Sequence, residues 1–174
     1  MLCDEREHVK YVCEALFAGT FTEGSKERWA FYKAYDLEFP SEEELKHLKG
    51  LVIPGSKHSA YDHSITWMEP LKAMTKNVYI NHPHIKMVGV CFGNQLIAEA
   101  LGGKVERMGN LEGRPLYIGK ETIELKDSFF SLPYVMKEVK HLEDLSCLNP
   151  LYVCESHGDH VASLPDGAIL HGSS

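Results

Sequence analysis

The 174-residue sequence lacks the features that would point to a membrane, to nucleic acid or to a disulfide framework. Its apolar runs all fall far short of the roughly 20 residues that span a bilayer. It carries 18 Lys and Arg against 25 Asp and Glu, for a net charge of −7, with no basic stripe. Neither nucleic acid nor an anionic membrane is therefore an expected partner. The five cysteines are an odd number without a Cys-x-x-Cys pair, which is typical of reduced thiols.

The start of the chain does not resemble a secretory leader. Met1-Leu2-Cys3 is followed at once by Asp4 and Glu5, whereas a leader would continue through about 7–15 apolar residues. We therefore expect a cytoplasmic protein. With 44% hydrophobic residues, no internal repeat and no low-complexity segment, residues 1–174 are expected to form a single globular domain.

Helical and strand-like patterns alternate through the first two thirds of the chain. Apolar residues recur at helical spacing over residues 9–17 and 67–78, residues 51–53 are typical of a buried strand, and residues 87–90 form a short apolar run that is predicted as a further strand. This alternation predicts an α/β domain with a mainly parallel, doubly wound sheet and helices on both faces. Because the apolar stub at residues 1–3 is shorter than a buried strand, we expect the fold to be incomplete at this end.

Further elements follow from local signals. Ser41 and Glu44 form a capping box that predicts a short helix, which Gly50 ends. Later segments are predicted as half-exposed strands at 104–108 and 116–125, a helix at 134–148, and a strand at 151–154 that leads into a loop at 155–160.

The stretch around Cys91 is organised as a nucleophile elbow. A short apolar run ends at a small-residue turn that carries the cysteine, and a helix then runs to Gly102-Gly103. A thiol at a helix N-terminus is favoured as the thiolate. Gly89 and Gly93 leave room for strand and helix to pack across the turn. A buried structural cysteine is the alternative, but the strand before, the helix after and Gln95 one turn later favour a nucleophile.

Two backbone donors are predicted beside this thiol. The N–H of Phe92 lies at the helix start and can point at a developing oxyanion. The small-residue loop at 54–60 follows the strand at 51–53, and ligands bind at the carboxyl ends of strands in open α/β sheets. Gly55 in this loop is the candidate for the second donor, with a plain turn as the alternative use of the loop.

No metal site or cofactor is expected. His82 and His84 flank Pro83 with no carboxylate or cysteine nearby in the sequence, and we expect a solvated turn there. The spacing of Cys154, His157 and His160 matches no common zinc pattern, so a loop with satisfied polar groups is the favoured interpretation.

Three segments resemble one family. Gly89-Val90-Cys91-Phe92-Gly93-Asn94-Gln95 resembles the nucleophile motif of class I glutamine amidotransferases, and residues 51–56 are similar to their oxyanion loop. Ser156-His157-Gly158-Asp159, followed by Leu164-Pro165-Asp166-Gly167, resembles a late segment of the family. The pattern from Trp29 to Tyr61 is most similar to the branch that includes the gamma-glutamyl peptidases. The resemblance covers nearly the whole chain.

The resemblance implies a three-layer, flavodoxin-like fold and a cysteine hydrolase. Its substrate would be the γ-glutamyl amide of glutamine or of a γ-glutamyl peptide, cleaved through a thioester on Cys91. The amides of Gly55 and Phe92 would form the oxyanion hole, with no metal or cofactor. The implied substrate contacts are Ser56, Gln95 and Ser156. A separate synthetase chain that accepts the released ammonia stays possible as a partner.

The resemblance also implies a Cys-His-Glu triad, but the expected histidine and glutamate have no counterpart in the sequence. The family's catalytic His and Glu lie in a His-Pro-Glu motif after the last sheet strands, and these 174 residues contain none. We therefore expect the fold to be incomplete at its C-terminal end as well. His157, with Asp159 two residues on, is the candidate substitute base, since His-x-Asp mimics His-x-Glu. Three functions stay open: a hydrolase completed by a further segment, an inactive binding or regulatory domain, and a cysteine hydrolase that uses His157.

Overall fold

The computed structural model describes residues 1–6, 28–109, 116–142, 144 and 148–173. They fall into two compact units. The first unit contains Met1–Glu106 and Val161–Asp166, and the second contains Arg107–His160 and Gly167–Ser174. The helix predicted over residues 9–17 lies outside the described residues, and the organisation of 1–174 as one domain stays a prediction.

Helices and strands alternate along the described part of the chain. The helices are α1 (Glu42–His47), α2 (Met68–Asn81), α3 (Phe92–Ala100), α4 (Asp127–Phe130) and α5 (Pro133–Val139), with a 3-10 turn at Ala34–Asp36. The strands are β1 (Gly50–Ile53), β2 (Lys86–Gly89), β3 (Lys104–Arg107), β4 (Tyr117–Leu125), β5 (Leu151–His157), β6 (Asp159–Ser163) and β7 (Gly172–Ser173). None of the described helices is both long and apolar enough to cross a membrane.

The first unit is built around the parallel pair β1 and β2. Gly50 to Ile53 lie beside Lys86 to Gly89 in register, and α2 lies in the connection between the two strands, as parallel pairing requires a long crossover. The predicted strand–helix–strand succession is confirmed here. Because the strands run in the same direction, the loop after β1 and the turn after β2 emerge at the same edge of the sheet.

The N-terminal stub is an extended segment within this unit. Leu2 forms an isolated parallel bridge with Lys33, and the Met1 ammonium donates to the Val52 carbonyl at 2.7 Å. Leu2 and Cys3 are buried. These contacts fix the start of the chain beside β1.

The core of the first unit is formed by the predicted apolar stripe. On α2, Leu71 and Val78 are fully buried, Trp67 just before the helix is buried, and Met74 packs against the cluster. Ile53 of β1 is also fully buried. Each such side chain contributes roughly 1.5–3 kcal/mol on removal from water, so these elements are held mainly by burial.

Helix α1 begins at the predicted capping box and packs near the end of α2. Ser41 Oγ accepts from the Glu44 N–H at 3.3 Å, and the Glu44 carboxylate accepts from the Ser41 N–H at 2.7 Å. The solvated turn expected at His82 is wrong: this residue is 8% exposed, and its Nε2 lies 3.1 Å from the Glu42 carboxylate. The partner was missed because it lies forty residues earlier. His84 is exposed, as predicted.

The second unit is an antiparallel sheet with β4 in its centre. Tyr117 to Ile123 of β4 pair with His157 to Leu151 of β5, and the end of β4 pairs with β7. The alternating exposure predicted for this strand is confirmed along β4. A further two-stranded sheet is formed by β3 and β6, and most of its residues belong to the first unit.

Two predicted boundaries in the second unit are wrong. The strand expected over 151–154 continues to His157, since the nine-residue β4 supplies hydrogen-bonding partners over that length. Ser156 and His157 therefore lie in a strand rather than in a loop, with Asp159 opening the next strand. The helix predicted over 134–148 is shorter and spans Pro133–Val139.

Candidate active site

Cys91 lies at a strand–turn–helix junction, as its sequence context predicts. The residue stands between β2 and α3 with φ 53° and ψ −114°, and its side chain is exposed. Among the described non-glycine residues, it and Leu37 have positive φ. Such a conformation costs on the order of 1–3 kcal/mol for a residue with a β-carbon. The surrounding packing has to maintain it.

Backbone hydrogen bonds hold the elbow on both sides of Cys91. Before it, the Val90 N–H donates to the Ile53 carbonyl at 2.9 Å. After it, the N–H groups of Asn94 and Gln95 donate to the Cys91 carbonyl at 3.0 and 3.2 Å. The strained residue is therefore fixed between the end of β1 and the first turn of α3.

The two glycines flanking Cys91 are required by close packing. A β-carbon on Gly93 would lie 1.8 Å from the Ile53 carbonyl oxygen, and one on Gly89 would lie 2.5 Å from the Asn94 nitrogen. Neither position accepts a side chain unless strand and helix move apart. The predicted reason for the glycine spacing is confirmed.

Gly55, in the loop after β1, lies directly against the thiol residue. A β-carbon on Gly55 would be 3.7 Å from the Cys91 β-carbon, which is ordinary van der Waals contact. Packing therefore tolerates a side chain at Gly55, but that side chain would take up the space beside the thiol. The structure brings the predicted oxyanion loop and Cys91 together.

Phe92 supplies the first N–H of α3, a position with no acceptor inside the helix. Its ring is buried and makes an edge-to-face contact with Trp67, whose indole contacts the His58 ring in the same way. No role beside the elbow is predicted for His58 or Trp67 from the sequence. Their contact depends on the fold, although His58 lies in the loop that contains Gly55 and Trp67 follows it.

The two other predicted residues of the first unit lie close to the elbow in different environments. Ser56 Oγ donates to the Cys3 carbonyl at 2.6 Å and accepts from the His58 N–H at 3.2 Å. Gln95 is 7% exposed. The Ser56 hydroxyl thus joins the loop to the N-terminal segment, and a substrate contact by either residue stays a prediction.

A buried carboxylate lies beside this loop and was missed from the sequence. Asp4 is 1% exposed, and Arg6 donates to both of its oxygens, at 2.7 Å from Nε and 2.6 Å from Nη2. The Lys57 N–H donates to the same carboxylate at 3.2 Å. Burial by itself raises the pKa of Asp4, but these hydrogen bonds outweigh it and lower the pKa to about 2. Asp4 is therefore ionised at neutral pH.

His157 and Ser156, the remaining predicted residues, lie on β5 in the second unit. His157 Nδ1 donates to the Asp159 carbonyl at 2.9 Å, and Nε2 lies 2.9 Å from the Glu155 carboxylate. Burial lowers the pKa of His157, but these two hydrogen bonds outweigh it, so the pKa lies above its usual value. The contacting carboxylate is that of Glu155, whereas Asp159 contributes its backbone oxygen. Both ring nitrogens are thus engaged, and Ser156 is exposed.

A family model described as Glutamine amidotransferase class-I matches residues 21–174. The chain belongs to the class I glutamine amidotransferases. Gamma-glutamyl peptidase 4 of Arabidopsis thaliana is 35% identical over 145 residues, which are 83% of this chain and 52% of the relative. Gamma-glutamyl peptidase 3 of the same plant is 30% identical over 162 residues, 91% of this chain and 58% of the relative. The predicted similarity to this branch is confirmed.

The chain spans little more than half the length of these two relatives. A crystal structure of a glutamine amidotransferase from Thermotoga maritima matches with a TM-score of 0.67 at 22% identity, over 94% of this chain and 60% of that chain. At this identity the likeness concerns the fold alone. This member of the family has the three-layer α/β fold that its sequence predicts.

We expect Gly93→Ala to destabilise the first unit severely. The added β-carbon would overlap the Ile53 carbonyl, so β1 and α3 must separate, at a cost of about 3 kcal/mol or more in the free energy of unfolding. Gly109→Ala is the matched control, because its β-carbon would meet nothing within 4 Å. Urea unfolding followed by circular dichroism measures both variants. Equal stabilities of the two variants would contradict the packing described for Gly93.

The stabilising effect of Asp4 should depend on pH. The pKa of Asp4 is lowered from 3.8 to about 2 on folding, so its contribution is fully present above pH 3.8 and is lost as the pH falls through about 2. We expect Asp4→Asn to cost about 2 kcal/mol of unfolding free energy near neutral pH and clearly less near pH 2.

Urea unfolding at several pH values between these limits tests the expectation. Asp36→Asn is the control, since that exposed carboxylate pairs with Lys33 at 3.6 Å, and such surface pairs contribute at most about 1 kcal/mol. A cost of Asp4→Asn that stays constant down to pH 2 would show that the ionised carboxylate is not what stabilises the fold.

Proposed function

We propose that the protein is a cysteine hydrolase that cleaves the γ-glutamyl amide of glutamine or of a γ-glutamyl peptide, with Cys91 as the nucleophile. The observation that carries the proposal is the placement of the Cys91 thiol. It stands exposed on a strained elbow, against the Gly55 backbone and beside the first N–H of α3. Such an arrangement offers a nucleophile and two backbone donors at one place.

In the proposed reaction the thiolate attacks the side-chain carbonyl carbon of the γ-glutamyl group. The developing oxyanion accepts hydrogen bonds from the N–H groups of Gly55 and Phe92. Collapse of the tetrahedral intermediate breaks the C–N bond, and the leaving amine or ammonia takes a proton from the general acid. Water then hydrolyses the thioester and releases glutamate. Substrate contacts are proposed for Ser56, Gln95 and Ser156.

The thiol proton needs an acceptor, and His157 is the candidate within these 174 residues. Its Nδ1 faces a carbonyl oxygen, which can only accept, and its Nε2 faces a carboxylate. The Glu155 carboxylate favours the protonated ring and raises the pKa of His157, and one of these hydrogen bonds must open before His157 can act as a base. The family resemblance instead implies the histidine of a His-Pro-Glu motif, which the sequence does not contain.

This engagement of His157 favours a second candidate function. A binding or regulatory domain could retain the elbow and recognise a γ-glutamyl compound without turning it over.

In the first function, the hydrolase, the ammonia released from glutamine either leaves to solvent or passes to a separate synthetase chain. A cytoplasmic location is part of the proposal, because five cysteines without a Cys-x-x-Cys pair are typical of reduced thiols.

The test is glutamate release from glutamine and from a γ-glutamyl dipeptide by the full protein. We expect Cys91→Ala to reduce turnover by at least about a thousandfold, because the variant has no nucleophile. Cys154→Ala is the matched control, since it removes another exposed cysteine, and it should retain turnover within about twofold.

Retained turnover in Cys91→Ala would contradict the nucleophile. If the wild type releases no glutamate but a glutamine-derived diazoketone labels Cys91, the binding domain is the better description. If this reagent does not label the folded protein and no turnover occurs, both candidate functions are wrong.

A further inference from the structure

The segment at the start of the chain is attached to the loop that contains Gly55. The Lys57 N–H donates to Asp4 Oδ2 at 3.2 Å, and Ser56 Oγ donates to the Cys3 carbonyl at 2.6 Å. In sequence, these partners are 53 residues apart. The loop after β1 is therefore held by contacts from outside its own sheet.

Asp4 joins the two segments, and its carboxylate is itself held by hydrogen bonds. Its Oδ1 accepts from the N–H and Nε of Arg6 at 3.0 and 2.7 Å, and its Oδ2 accepts from Arg6 Nη2 at 2.6 Å and from the Lys57 N–H. A buried carboxylate is costly unless its oxygens are hydrogen-bonded, and here four donors meet that requirement. They also fix the direction in which Oδ2 faces Lys57.

The loop between the sheet and this carboxylate is short. Ile53 is held by β2 and by the Val90 N–H that donates to its carbonyl, and Lys57 is held by Asp4. Three residues lie between these two points, and the ring of Pro54 restricts the backbone of the first. Gly55 is the middle one, against Cys91. Its position beside the thiol is therefore determined from both ends of the loop.

We propose that Asp4 is a positioning residue of the active site: through its hydrogen bond to the Lys57 N–H it keeps the Gly55 amide beside Cys91. The inference rests on the proposed function, because the Gly55 amide matters only if an oxyanion forms there. The Asp4 carboxylate is hydrogen-bonded to Arg6 and to the Lys57 N–H, so its proposed effect reaches Gly55 through the loop. An asparagine at this position offers one acceptor oxygen instead of two, so it cannot satisfy both Arg6 and Lys57.

The test compares Asp4→Asn with the wild type in the glutamate-release assay. Because the oxyanion exists only along the reaction path, loosening its donor should lower kcat by roughly tenfold to a hundredfold and change KM by less than about threefold. Alkylation of Cys91 by iodoacetamide needs no oxyanion donor, so its rate should not change. Asp36→Asn, which removes an exposed carboxylate of the same unit, should keep the wild-type kcat.

Arg6→Gln covers the case in which Asp4→Asn does not fold. The Arg6 side chain is 46% exposed, so its replacement leaves no cavity, yet it removes two of the four donors that hold Asp4. We expect a folded variant whose kcat falls several-fold with KM and alkylation unchanged. Circular dichroism confirms folding at the assay temperature.

Several results would overturn the inference. A folded Asp4→Asn with wild-type kcat, or with a KM change that accounts for the whole loss, means that Asp4 does not position the loop. If Asp4→Asn does not fold and Arg6→Gln is fully active, Asp4 contributes to stability but does not position the loop. In both cases the proposed function stands, because the wild type turns over. An inactive wild type overturns the proposed function and this inference with it.

Discussion

The Ile53 carbonyl accepts the Val90 N–H at 2.9 Å, and Gly93 packs so closely on the same oxygen that no β-carbon fits between them. These two contacts at one oxygen atom join the end of β1 to the turn after β2 and to the first turn of α3. They maintain the positive φ of Cys91, which the chain would otherwise not adopt at a residue with a side chain. They also determine where the loop after β1 begins, and thereby bring Gly55 beside the thiol.

The elbow itself could be predicted from the sequence because its determinants are local. An apolar run, Gly89 and Gly93 around a cysteine, and a helical pattern lie within 17 consecutive residues, and each has a direct steric or electrostatic reason. The parallel pair β1 and β2 and the stripe on α2 were predictable for the same reason. Periodicity and capping report the local conformation, and burial then stabilises it.

The contacts and strand limits that were not predicted depend on partners that are distant in the sequence. Glu42 contacts His82 across forty residues, and Asp4 contacts Lys57 across 53. Nothing in the local pattern identifies which carboxylate approaches which donor. The strand limits in the second unit were missed for a related reason, because the length of β5 is set by its partner β4 and not by its own residues. The turn at Cys91 and the loop beside it could therefore be predicted from the sequence, but the groups that hold them could not.

The chemistry proposed here depends most directly on an acyl intermediate at Cys91. Mass spectrometry of the protein, quenched in acid during turnover of a γ-glutamyl peptide, measures it. The expected result is a γ-glutamyl group on the peptide that contains Cys91, which hydroxylamine removes as it cleaves a thioester. Steady glutamate release with the acyl group on another residue, or with none on Cys91 under conditions where deacylation limits the rate, would contradict the central claim.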